Sequence, residues 1–171
     1  MNGQKGTGTN LESLMDMLAS KDGVVRQKAR EALVNMGKPA VSSLIQALEN
    51  SRLDQVRWEA AKALESISDT GSMPSLVKAL EDSNSDVAWV AADALKTFKK
   101  AAWLPLLQAL IKSGSDSVAL RKGAHHVLVD QKEDGFNDLL ATLLQALESS
   151  SAPESSAVAA HEILKKLNVK A

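Results

Sequence analysis

Apolar residues along this chain fall into two alternating phrases, each spaced like one face of a helix. The first recurs as LESLMDML (11–18), VSSLIQAL (41–48), MPSLVKAL (73–80), WLPLLQAL (103–110) and LATLLQAL (140–147). Its closing residues Leu18, Leu48, Leu80, Leu110 and Leu147 are spaced 30, 32, 30 and 37 apart. The second follows each time: VRQKAREAL (25–33), VRWEAAKAL (56–64), VAWVAADAL (87–95), LRKGAHHVL (120–128) and SAVAAHEIL (156–164). In this phrase apolar side chains take positions 1, 5, 8 and 9, and Met36, Ile67 and Phe98 extend the series to position 12. That spacing winds into a single stripe on a helix. Short polar stretches (SKDG, NSRLD, DSNSD, KSGSDS, SSSAPESS) separate the phrases and supply helix-starting side chains such as Asp22, Asp54 and Asp116. The pattern predicts five helix pairs and no strand.

A unit of about 31 residues cannot bury its own stripe, so successive pairs must stack. The expected organisation is a flexible Gly-, Thr- and Asn-rich lead-in over 1–9, then one repeat domain over 10–171. Its units span about 10–37, 38–69, 70–99, 100–133 and 134–169. The phrase VRxxAxxAL, an Asp-bearing turn and a first helix of the form PxLxxAL resemble HEAT-like repeats, the short bacterial and archaeal type also found in phycobilisome lyase subunits. The resemblance covers roughly residues 11–167. It implies an all-α, right-handed solenoid of five antiparallel helix pairs, with the second helices lining a concave face. Repeats four and five depart from the pattern through longer internal turns, a fifth phrase without Arg, and Ser156 in place of Val. A divergent last unit suits a terminal cap, whose outer helix must face water.

Aligned by position, the second phrases expose candidate site residues. Position 2 holds Arg26, Arg57, Ala88, Arg121 and Ala157. In the family this Arg typically pairs with the Asp of a neighbouring turn, so the resemblance implies an inter-repeat ladder of Arg26, Arg57 and Arg121 and not a ligand site. Position 3 holds Gln27, Trp58, Trp89, Lys122 and Val158, and position 7 holds Glu31, Lys62, Asp93, His126 and Glu162. These two positions lie four apart, on one face beside the stripe, and the resemblance makes that face the concave one. Trp58 and Trp89 therefore stand as neighbouring anchors on one wall, with Val90 adding apolar surface and Gly123 and Ala159 leaving a notch. The charges of Lys62, Asp93, Lys122 and His126 surround them, and the alternating position-7 row offers pairs between helices. Trp103 takes a slot filled elsewhere by Leu11, Val41, Met73 and Leu140, so it belongs to the core.

Composition narrows the function. Formal net charge is −1, and acids and bases number nine each up to Asp69, so neither half is a basic arm suited to a polyanion. Cysteine is absent, which removes disulfides and thiol catalysis. No apolar run approaches the roughly 20 residues of a membrane span, and MNGQKGTGTN lacks the apolar core of a signal peptide. A cytoplasmic monomer is the default. His125, His126, His161 and Glu162 are metal-capable, but His125 and His126 point about 100° apart on a helix, so no metal or other cofactor is expected. No phosphate loop, GxSxG elbow or marked acid–base pair is present.

Three functions remain to be weighed. The favoured one is a non-catalytic interaction module that binds a polypeptide on the concave face across repeats two to four. A phycobilin-lyase-like subunit gripping a tetrapyrrole shares the repeat signature without a specific motif. A HEAT-like DNA glycosylase is suggested by the spacing of Trp89 and Asp93, yet Glu31, Glu59, Glu65 and Asp93 oppose the basic concavity such an enzyme requires.

Overall fold

Each phrase is a helix. The computed structural model describes residues 7–113, 116–149 and 154–168, and these described residues form ten α-helices and no strand. They are α1 (Thr7–Met17), α2 (Gly23–Met36), α3 (Lys38–Asn50), α4 (Asp54–Ile67), α5 (Met73–Ala79), α6 (Ser85–Thr97), α7 (Trp103–Lys112), α8 (Val118–Leu128), α9 (Asn137–Glu148) and α10 (Glu154–Asn168). One-turn 3-10 helices, Thr70–Ser72 and Lys99–Ala102, lead into α5 and α7. The first helix starts at Thr7, inside the stretch expected as a flexible lead-in. Residues 1–6 lie outside the described residues, as does the expected end of the fifth unit at 169. No described helix is long and apolar enough to cross a membrane.

Caps explain where the second helices begin. The Asp22 carboxylate accepts the Val24 N–H at 2.8 Å, as expected of an N-cap. The other two expected starts move by one residue. Asp54 is already inside α4, after Leu53, and α8 is capped by Ser117, which accepts the Leu120 N–H at 3.1 Å. Asn84 caps α6 by accepting from Asp86 and Val87. Between α2 and α3 the chain reverses through one residue, Gly37, whose φ of 65° lies in the region glycine enters without penalty. Its N–H donates to the Leu33 and Val34 carbonyls.

The second helices stack as α2, α4, α6 and α8, and the first helices as α1, α3, α5 and α7. This arrangement is an α-solenoid with one continuous core from Leu18 to Ile163. In the two middle second helices, α4 and α6, stacking buries more than the stripe itself. Position 4 (Glu59, Val90) and position 6 (Ala61, Ala92) are buried as well, because a middle second helix touches its paired first helix and a second helix on either side.

The last pair breaks the sequence of layers. Helix α9 packs on α8, and α10 packs on α9 and α7, so the two helices of the fifth unit have exchanged rows. A compact turn precedes them. Phe136, 1% exposed, meets the Trp103 ring edge-on at 5.6 Å, and the Trp103 indole N–H donates to the Gln131 side chain. Trp103 is core, as its slot predicts.

Candidate functional site

The ladder arginines tie neighbouring repeats together, each in a different way. Arg57 on α4 grips Asp82 with two hydrogen bonds, Nε at 2.7 Å and Nη2 at 2.8 Å, and donates Nη1 to the Ser51 carbonyl. Burial pushes the Asp82 carboxyl up. The Arg57 hydrogen bonds, the Asn84 N–H and the guanidinium charge outweigh that and hold it below the usual aspartate range. Arg26 on α2 takes Glu59 in place of a turn Asp, and also donates to the Ser20 and Lys21 carbonyls. Arg30 donates to the same Glu59, which is only 4% exposed. Arg121 donates Nη1 to the Ser149 carbonyl at 2.9 Å.

The two expected anchors are not equivalent. Trp58 is half-buried against the core, with the Arg30 guanidinium 5.5 Å from its ring centroid. Trp89 is 58% exposed, and its ring lies 4.1 Å from the His126 imidazole across the α6–α8 boundary. They line separate clefts on either side of α6. Val90 does not flank Trp89 on the surface: it is buried, because position 4 turns toward the preceding repeat just as Glu59 does. The expected notch also loses Ala159, since α10 has left the second-helix row and packs against α7.

A cleft of about 320 Å³ remains between α6 and α8. Trp89 and His126 form one wall, and Ala88, Ala92, Ala119 and Gly123 keep the interior open. Gly123 sits directly on Leu80, where an added Cβ would lie 3.0–3.2 Å from the leucine side chain. Ala88 and Ala119 were not among the expected site residues, yet one signal was available. Position 2 of this repeat is Ala88, where repeats one, two and four carry Arg, and the short side chain leaves that space empty. A larger groove of about 580 Å³ beside α4 and α5 is crossed by bonds within the protein, Arg57 to Asp82 and Ser75 to Glu49.

Only one adjacent pair of the position-7 row bonds between helices. His126 Nε2 and Asp93 Oδ1 are 2.8 Å apart. Elsewhere the partners are intrahelical: Glu31 accepts from Gln27, and Lys62 donates to Glu65 at 2.7 Å. Glu162 is exposed on α10 and does not continue the row, for the same reason that Ala159 does not. His125 reaches Glu148 on α9 at 3.0 Å, and His161 is exposed on α10. Among the described residues no three metal-capable side chains converge.

A family model for HEAT repeats matches two overlapping stretches, residues 41–128 and 73–164. Together they run from α3 into α10, and α1 and α2 precede them. No curated protein matches the chain significantly.

Proposed function

This chain belongs to the HEAT-repeat family, whose repeats generally act as protein-interaction scaffolds, and from that premise we propose that it is a non-catalytic module holding a polypeptide partner on its second-helix face across repeats two to four. One observation carries the reading: Trp89, 58% exposed, stands over an apolar cleft and is held in place by His126. Exposed Trp beside a preformed pocket is the usual anchor of a protein interface. The surroundings favour a polypeptide over a polyanion. Asp82 and Lys122 bring both charge signs to the cleft, and the whole chain carries a formal charge of −1. The aromatic–carboxylate spacing of Trp89 and Asp93 supports glycosylase chemistry poorly, since Asp93 is bonded to His126.

Affinity capture from the source cell tests this, with wild type compared against Trp89→Ala and against Trp58→Ala/Trp89→Ala. Truncating an interface Trp commonly costs about 2 kcal/mol or more, so Trp89→Ala should weaken capture roughly 30-fold while the protein stays folded. Equal capture by folded wild type and folded Trp89→Ala would place the partner surface elsewhere. Residual binding to DNA should disappear at moderate salt.

A further inference from the structure

Resting on that polypeptide-docking reading, we infer that the α6–α8 cleft selects a segment in which a large apolar side chain is flanked by acidic residues. The apolar half follows from shape. A cleft of about 320 Å³ lies at the lower end of small-molecule pockets. Its interior is Ala88, Ala92 and Gly123 over buried Leu80, closed on one side by the Trp89 and His126 rings. One bulky side chain such as Phe or Leu fits against that aromatic wall.

The acidic half follows from which polar groups are already committed. Both carboxylates around the cleft are taken, Asp82 by Arg57 and Asp93 by His126. Three donors at the rim have no partner among the described residues: the Lys122 ammonium and the Ser83 and Ser85 hydroxyls. The cleft therefore offers an unpaired positive charge and hydroxyl groups to an incoming chain, while its carboxylates are already engaged with cationic or imidazole partners. Asp86, also exposed, faces the neighbouring cleft beside Trp58. An acidic flank meets Lys122, whereas a basic flank meets Lys122 with like charge.

Labelled, end-capped pentapeptides test the proposal: phenylalanine between two glutamates, the same between two lysines, and alanine between two glutamates. Binding is read by anisotropy and by the resonances of the Trp89 indole and the Gly123 amide in the full chain. The glutamate–phenylalanine peptide should shift both resonances saturably. The lysine peptide should bind roughly fivefold more weakly, the size of one exposed ion pair, and the alanine peptide should leave the resonances unmoved. Lys122→Glu should reverse the charge preference. Ala119→Leu, at an exposed first-turn position, should fill the mouth and abolish binding with the remaining spectrum unchanged. Equal binding of the glutamate and lysine peptides, shifts confined to other residues, or no saturable shift at millimolar peptide overturns the proposal. If captured partner still depends on Trp89 in that event, only the ligand chemistry falls; if it does not, the docking reading falls too.

Discussion

Trp58 and Trp89 hold the same place in the same phrase, yet one packs against the core and the other stands in water. Their truncations should separate in denaturant melts. Trp89→Ala should change stability by no more than about 0.5 kcal/mol, as surface substitutions do. Trp58→Ala should cost about 1–3 kcal/mol, below the roughly 3–5 kcal/mol of a fully buried aromatic. Leu64→Ala and Leu95→Ala, both fully buried, should each cost about 2–5 kcal/mol. A Trp89→Ala loss equal to that of Leu95→Ala would show that the exposed ring is part of the core. Asp82 provides a second residue-scale test through pH. Its folded pKa lies below the ordinary aspartate value, so it contributes stability above that value and loses it as pH falls through the folded pKa. The stability gap between wild type and Asp82→Asn should therefore be constant at neutral pH and narrow below the ordinary aspartate range. A gap that stays constant throughout acid titration would mean that the Arg57 pair has no net influence.

Helix α6 shows how much one element depends on its ends. Its cap, Asn84, accepts from two backbone N–H groups and donates its own side-chain N–H to Asp54 of the preceding repeat at 2.8 Å. Asn84→Ala removes both the cap and that link, so a loss of about 1–2 kcal/mol is expected in the denaturant midpoint. Asn84→Asp should recover the capping part, while Asp54 then meets like charge. No loss in Asn84→Ala would show that α6 is held by its packing alone. The helix also illustrates what a stripe can reveal. Positions 1, 5, 8 and 9 were legible because they face the paired helix, and Val87, Ala91, Ala94 and Leu95 are all buried. Burial of Val90 was not legible, since it arises from a neighbouring repeat and not from α6 itself.

For the whole molecule the exchanged last pair is the informative feature. Because α10 covers α7 as well as α9, deleting residues 154–171 should strip cover from two helices. Repeat arrays couple mainly to nearest neighbours, so hydrogen exchange should show protection lost in α7 and α9 and largely kept in α2 and α4. Uniform loss along the chain would show a single cooperative unit instead. The same exchange leaves α8 as the end of the second-helix row, with α9 packed on it. The α6–α8 cleft is therefore the last gap between second helices in that row.

Helical class, the ten segments and the buried slot of Trp103 were determined by the sequence alone, because a stripe with helical period has only one regular structure that gathers it on one face. The repeat itself followed from the same phrases, since a unit too small to bury its stripe must stack. Tertiary structure decided the rest. Glu59 reads as a surface acid until α2 brings Arg26 and Arg30 to it. Val90 reads as wall until repeat two covers it, and Trp58 parts from Trp89 only through what each neighbour places against it. The fifth phrase departs from the others at Ser156 and Ala157, but the exchange of α9 and α10 cannot be read from that departure, because an apolar stripe does not specify which helix it packs against. Periodicity reports which side of a helix is apolar; which other helix meets that side is set by contacts between residues far apart in the chain.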